Sequence, residues 1–460
     1  MQQEIPRQWN VESKGMVGLT VLLILLALAL FSGMAHAAIE DVLYESGKIS
    51  KEEWLKIKAE REKEEAEREQ QIKEAVDRAI TRDVKKRKWI DAVVWSGDLR
   101  LRYGQFWRYG RGAVGDDRSR FRFRLRFGPT IKIQDFTIGI RLASGDDSQV
   151  STNQSFDNAF SSKEIRIDRA YASWNPSSFK AMTITGGKMP NPFTRNYTTD
   201  VLFDADLNPE GMAEQFKWKA SQSVTLFVDL AQFVLNELAS DTNDQWMFGF
   251  QGGGVVKMGN SKVRLAVGFY DALNVTLAGL DEPTVQVFNS KVGDGSTAAA
   301  YVNDYNVLNV NGSFDTNLMG FPVNIQGDWV YNTAGPVTCS GVGNASGSCA
   351  AGNVRVDDQD QGYQAGIRLG KAKKAKTWEL AYYYKWLQAD TVLSAFADSD
   401  LGDGGTNRRG NIFWGAYNIT DFLKFKVKFY NTKPLERGIC SSTSCSDDID
   451  RVQVDWIWMF

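Results

Sequence analysis

Histidine is almost absent from this 460-residue chain, and long apolar runs are equally scarce. The only histidine, His36, follows the only apolar stretch that approaches membrane-helix length, residues 16–31. Ala35 and Ala37 flank His36 in the small-x-small pattern of a signal-peptidase site, so residues 1–37 are predicted to be a cleaved secretory signal. The alternative is an uncleaved anchor helix in the inner membrane, but the run is short for a membrane span.

A mature chain that starts at Ala38 contains no histidine. Such a chain cannot build a Ser-His-Asp triad, a Cys-His pair or a His-ligated zinc site. Enzyme activity is therefore not expected, and we predict no cofactor and no metal. An enzyme such as a phospholipase or protease is kept as the least favoured hypothesis for function.

The chain also has no large excess of positive or negative charge, and it contains little proline. The 54 Lys and Arg residues nearly balance the 56 Asp and Glu residues, which argues against a nucleic-acid partner. Only 10 prolines accompany 41 glycines and 12% aromatic residues. This composition excludes disorder and favours an aromatic-rich β protein.

Cysteine is limited to four residues, Cys339, Cys349, Cys440 and Cys445. In an envelope compartment two local disulfides are expected, since each would close a short loop, although three connectivities and free thiols stay open.

A short acidic motif, Asp398, Asp400 and Asp403, resembles a calcium loop loosely. Its spacing departs from the EF-hand pattern, so an ordinary acidic surface loop is the favoured interpretation.

Residues 38–94 are charged and helical in character and are predicted to form a periplasmic prefix. Ser50 and Glu53 form a capping box that opens a helix. A heptad is present only in fragments, so a coiled coil has weak support. The favoured interpretation of this helical segment is a solvated spacer. At about 1.5 Å per residue the helix could extend roughly 50 Å and contact peptidoglycan or help an oligomer associate.

The sequence period changes to two after Trp95. Arg118, Arg120, Arg122, Arg124 and Arg126 alternate with apolar residues, and the same alternation recurs over residues 263–270 and 423–430, where Lys424, Lys426 and Lys428 form the polar set. A strand with this pattern has one face for hydrocarbon and one for water. Transmembrane barrels have this arrangement, with lipid outside and a polar lumen inside.

Residues 95–460 are predicted to form an all-β, 16-stranded antiparallel outer-membrane barrel embedded in outer-membrane lipid. The predicted strands begin near residues 97, 119, 136, 165, 181, 211, 223, 245, 262, 304, 322, 362, 377, 410, 422 and 450. Tight turns alternate with long connections, as in bacterial barrels with periplasmic turns and exterior loops. A phase shift at residues 167–169 indicates a bulge in this strand, or else a register different from the one assigned. Trp456, Trp458 and Phe460 end the chain on one face, which resembles a barrel assembly signal.

Several segments resemble the bacterial putative-porin family of outer-membrane channels. These segments are SGDLRLRY (96–103), the arginine strand, IGIRLASG (138–145), DRAY (168–171), GKMPNPF (187–193) and DLNPEG (206–211). The resemblance implies passive diffusion of small hydrophilic solutes or ions, often through homotrimers. The alternative function is a structural tether from the outer membrane to the cell wall through the N-terminal helix.

The final prediction concerns selectivity. Arg100, Arg102, Arg120, Arg122, Arg124, Arg126 and Arg141 would share one lumen wall. The connection between the fifth and sixth predicted strands spans about residues 190–210 of this chain. In sixteen-stranded porins this connection folds inward, so its acids Asp200, Asp204, Asp206 and Glu210 could face that wall. A transverse field would then separate cation and anion paths. The alternative is that the arginines only solvate the lumen and the acids stay outside.

Overall fold

The computed structural model describes residues 44, 46–61, scattered positions from 63 to 74, 92–109, 117–196, 200–237, 244–275, 291–292, 300–301, 304–334, 359–437 and 447–460. The predicted signal peptide and all four cysteines lie outside the described residues, so the cleavage and disulfide predictions are untested. The chain divides into two units, residues 1–88 and 89–460.

The N-terminal unit contains the predicted helix, which covers residues 51–61. The Ser50 backbone N–H donates to Glu53 Oε2 at 2.9 Å, and the Glu53 N–H donates to Ser50 Oγ at 3.3 Å. This reciprocal pair is the capping box expected from the sequence. Its side chains are mostly exposed. Among the described residues, no helix has both the length and the apolarity needed to span a bilayer.

The second unit is a closed antiparallel barrel of sixteen long strands. The long strands are β1 (Ala92–Tyr109), β2 (Arg118–Ile133), β3 (Phe136–Ser144), β5 (Ile165–Trp174), β6 (Met182–Lys188), β7 (Glu210–Lys219), β8 (Val224–Asn236), β9 (Gln245–Met258), β10 (Ser261–Leu273), β13 (Tyr305–Leu318), β14 (Phe321–Asn332), β15 (Gln361–Gly370), β16 (Trp378–Leu387), β17 (Arg408–Asn418), β18 (Leu423–Pro434) and β19 (Asp448–Met459). Three two-residue strands are β4 (Gln154–Ser155), β11 (Lys291–Val292) and β12 (Ala300–Tyr301).

Each long strand pairs with its neighbours along the chain, and β1 closes the barrel by pairing with both β2 and β19. The strand starts agree with the predicted ones within a few residues. The first strand differs most, since it begins at Ala92 rather than near residue 97. The extension forms because Ala92 to Ser96 pair with Lys132 to Gly128 of β2.

The period-two alternation separates the two faces of the wall as expected. On β10, Leu265, Val267 and Phe269 are 41–55% exposed on the outside, whereas Ala266 and Tyr270 are buried inside. An exposed apolar outer surface is stable in contact with hydrocarbon.

The predicted bulge lies in β5. Arg141 of β3 pairs with Arg169, but the next residue, Leu142, pairs with Ile167, so Asp168 is the extra residue. The register shift turns the Asp168 side chain toward the lumen, where it is 8% exposed.

In the described part of the chain, two long connections pack inside the barrel. The described residues of the β6–β7 connection, 189–196 and 200–209, place Phe193 and Phe203 against Tyr270, with ring centroids 4.9 and 5.4 Å apart. Gly249 makes room for Phe193, since a Cβ there would lie 2.3 Å from its ring. Burial of each such aromatic side chain contributes about 2–3 kcal/mol and offsets the entropy lost by ordering the loop.

The β16–β17 connection, residues 388–407, joins the same apolar cluster through Val392, Leu393, Ala395 and Ala397. The Asp204 N–H donates to the Phe396 carbonyl at 2.6 Å, and the Asp398 N–H donates to the Asp200 carbonyl at 3.1 Å. The inference that residues 398–403 form an acidic surface loop is therefore wrong. These residues lie inside because Leu401, at 0% exposure, packs in a second cluster with Tyr383 and Trp414.

Candidate functional site

The predicted arginines occupy adjacent positions on the inner face of β1 and β2. Arg100 pairs in register with Arg124, Arg102 with Arg122, and Asp98 with Arg126. Arg141 continues the wall on β3, and Lys424, Lys426 and Lys428 extend it on β18. These strands are neighbours because β19 pairs with both β18 and β1. We call this surface the basic wall.

Two aspartates neutralise the β2 end of the basic wall. Asp98 contacts Arg124 and Arg126 at 2.7 Å each. Asp206, on the inward 189–209 loop, lies 2.9 Å from Arg126 Nη1 and 3.7 Å from Arg124 Nη1. Burial tends to raise the pKa of Asp206, but the surrounding guanidinium groups outweigh it and lower the pKa to about 2.

The bulge supplies a third acid. Arg141 Nε donates to Asp168, whose other oxygen accepts from Asn208 Nδ2 at 2.8 Å. Arg169 Nε donates to Asn208 Oδ1 at 2.7 Å. The 189–209 loop is thus attached to the wall through Asn208 as well as Asp206.

The 388–407 loop brings acids that sequence reasoning did not assign to the site. Asp400 contacts Arg451 at 2.7 Å and Arg102 at 3.3 Å. Burial acts to raise the pKa of Asp400, but Arg451 and Arg102 hold it well below its usual value. Asp403 contacts Arg108 at 2.7 Å, and Asp398 contacts Lys385 at 2.8 Å. The clustered aspartates are visible in the sequence, and the structure pairs them with arginine and lysine side chains.

Asp455 of β19 compensates Arg102 from the wall itself. Arg102 Nε donates to Asp455 Oδ1 at 2.6 Å and Nη2 donates to Oδ2 at 2.8 Å. A bidentate guanidinium–carboxylate pair is the strongest geometry for such an ion pair. Like charges can therefore face each other across β1 and β2 because acids from three other elements lie between them.

Of the four predicted acids only Asp206 forms an ion pair with the basic wall, whereas Asp200, Asp204 and Glu210 do not. Asp204 accepts hydrogen bonds from the N–H groups of Ser399 and Asp206, at 2.9 and 2.7 Å, and joins the two inward loops. Burial, with the charges of Asp200, Asp206 and Asp398, raises the pKa of Asp204 well above its usual value. Glu210 pairs with Lys188 at 2.6 Å in an exposed position.

The remaining predicted residues lie near the barrel closure. Lys426 and Lys428 lie over Trp414, 4.8 and 5.9 Å from its ring. The Phe460 N–H donates to the Gly97 carbonyl at 3.0 Å, and the Gly97 N–H donates back at 2.7 Å. Trp456 packs on Phe425 at 4.9 Å. An assembly role for Trp456, Trp458 and Phe460 stays a prediction.

Two cavities adjoin the wall, and they share Asp146, Ser148 and Ser151 as lining residues. The larger, about 630 Å³, reaches Asp168, Lys188, Asp206 and Glu210. The smaller, about 310 Å³, lies against Arg120, Arg122 and Arg451. Within the described ranges, no group of His, Cys, Asp or Glu side chains could hold a metal ion.

A closed sixteen-stranded barrel with an apolar outer face and a charged inner wall defines an outer-membrane channel. A family model described as putative porin matches residues 111–301 and 276–459, and the chain belongs to that family. No curated protein matches the sequence.

Solved structures of OprB, OmpF and OmpT resemble the chain at low sequence identity. Pseudomonas putida OprB at high pH is 11% identical, with a TM-score of 0.48 over 80% of this chain and 94% of that one. Salmonella typhi OmpF in complex with daunomycin is 10% identical, with a TM-score of 0.45 over 80% and 97%. A loop-deletion mutant of Vibrio cholerae OmpT is 8% identical, with a TM-score of 0.41 over 80% and 100%.

Proposed function

We propose that the protein is a water-filled porin through which small hydrophilic solutes or ions diffuse passively. The proposal rests on the division of the lumen into a side filled by the inward loops and a side with open cavities. The two inward loops cover the apolar inner face of β7–β10, whereas cavities remain beside the basic wall. Solutes would therefore pass along arginine, aspartate and serine side chains, which can replace part of their hydration shell.

Reconstitution in planar bilayers tests this proposal. The purified full-length protein should give stepwise conductance with a linear current–voltage relation, while heat-denatured protein at the same concentration should give none. A sealed bilayer despite verified insertion of folded barrels would exclude the porin function.

The structural tether is the second candidate, because the exposed helix at residues 51–61 forms a unit separate from the barrel. Deletion of residues 39–84 distinguishes the candidates. A pore should keep its conductance after the deletion, whereas a tether should lose co-sedimentation with peptidoglycan.

The proposal includes export through a signal peptide cleaved after Ala37 and assembly as a homotrimer in the outer membrane, with no enzymatic activity. Mass spectrometry of the purified protein should find Ala38 at the N-terminus. Crosslinking of native membranes should give a trimer band. Hydrolysis of lipid or peptide by the mature chain would contradict the non-enzymatic assignment.

A further inference from the structure

Two arginines that line the smaller cavity have buried nitrogen atoms with no hydrogen-bond partner in the described part of the chain. Of its basic lining residues, Arg108 is paired with Asp403 at 2.7 and 2.8 Å, and Arg451 is paired with Asp400 at 2.7 Å. The acids of the 388–407 loop that line this cavity are therefore already committed to ion pairs.

Arg122 differs from its neighbours. Its side chain is buried, at 7% exposure, and its Nε and Nη2 have no hydrogen-bond partner among the described residues. The Nε of Arg120 is likewise buried without a partner, and its guanidinium lies 5.1 Å from the Phe106 ring centroid. A buried guanidinium without an acceptor is costly, so this arrangement points to an anion that is absent from the chain itself.

The space beside these groups suits a small ligand. Arg120 and Arg122 are two residues apart on one face of β2, about 7 Å along the strand. Both arginines line the cavity, whose volume of about 310 Å³ is large enough for an ion of a few heavy atoms.

We propose that this cavity is a binding site for a small oxyanion, a carboxylate or phosphate group, held by Arg122 with Arg120. The site rests on the proposed porin function, because it would act on solutes that pass along the basic wall. A guanidinium donates two parallel hydrogen bonds to such a group, which a spherical chloride ion cannot accept in the same way.

Conductance measurements with inorganic phosphate and with acetate test the site. Phosphate should reduce the chloride current through the full-length protein in a saturable manner. Arg122→Gln should raise the half-blocking concentration at least about tenfold, since it removes charge-assisted hydrogen bonds, and Arg122→Lys should lie between. Lys262→Gln is the control, because it removes one positive charge from an exposed position on β10, outside the basic wall, and should leave the block unchanged.

Thermal unfolding in detergent gives a readout independent of conductance. Phosphate should raise the unfolding temperature of the parent protein and not that of Arg122→Gln, which should itself be as stable as the parent because it removes an unpaired charge. An equal response to acetate assigns the site to oxyanions in general, and a response to phosphate alone assigns it to tetrahedral ones.

Equal responses of the parent and Arg122→Gln in both assays would overturn the oxyanion site, as would a response to chloride as strong as that to phosphate. If the parent forms no channels, the porin function fails. The phosphate-dependent unfolding temperature then still decides whether the site exists.

Discussion

Asp206→Asn is the substitution that tests how the inward loop is held against the basic wall. In the folded protein the pKa of this carboxylate falls from 3.8 to about 2, because the arginines around it outweigh its burial. Each pKa unit corresponds to about 1.4 kcal/mol, so the ionised form contributes about 2 kcal/mol to folding at neutral pH. The Asp206 side chain is only 15% exposed, so solvent screens this contribution weakly.

The contribution has a defined pH window. Because the folded-state pKa is lowered, stability from Asp206 is fully present above about pH 4 and is lost as the pH falls through 3.8 toward 2. Asp206→Asn should therefore destabilise the barrel by about 2 kcal/mol at pH 7 and by much less near pH 2. Urea unfolding in detergent, followed by tryptophan fluorescence across this range, measures the difference.

Glu210→Gln serves as the control, since its pair with Lys188 is exposed and worth at most about 1 kcal/mol. In a salt gradient, Asp206→Asn should also shift the reversal potential toward anions, because Arg126 is left less neutralised. Equal destabilisation by the two variants, or a loss from Asp206→Asn that persists unchanged near pH 2, would refute the reasoning.

Three further outcomes are expected. Burial and the neighbouring Asp398 raise the pKa of Asp200 to about 6. Stability from this group is therefore lost as the pH rises through about 6, and Asp200→Asn should raise the urea midpoint at pH 7.5 but not at pH 4. Arg122→Glu with Arg124→Glu should shift the reversal potential toward cations, and an unchanged potential would place the constriction elsewhere. Gly211→Ala should prevent folding, seen as loss of heat-modifiable migration on gels, because Gly211 has φ of +145° and a Cβ there would lie 2.0 Å from the Gln232 carbonyl oxygen. Gly327→Ala, where a Cβ meets nothing within 4 Å, is its control and should fold normally.

The structure corrects the sequence-based prediction that Asp204 faces the arginine wall. Asp204 belongs to the contact between the two inward loops, through Ser399, rather than to the basic wall. Asp204→Lys would therefore disturb loop packing as well as charge. Among the acids predicted from the sequence, Asp206 is the informative position for the acidic side of the transverse field.

The sequence alone determined the barrel and most of its strands, because a strand's two faces are defined by neighbours two residues apart. The alternation in β2 and β10 identified the inner and outer sets, and the phase shift at residues 167–169 marked the irregular strand in which Asp168 is the bulged residue. The capping box of Ser50 and Glu53 is equally local. Local chemistry of this kind does not depend on where the rest of the chain lies.

Only the tertiary structure decided which loops enter the lumen and which charges find partners. Asp400 reaches Arg102 across 298 residues, after β1 has closed on β19 and the 388–407 loop has folded inward. Alternation showed that Ala266 and Tyr270 face inward, but it did not show that they lie under Phe193 and Phe203 rather than in water. Polarity along a strand defines a face, whereas the partner of each side chain depends on the packing of distant segments in three dimensions.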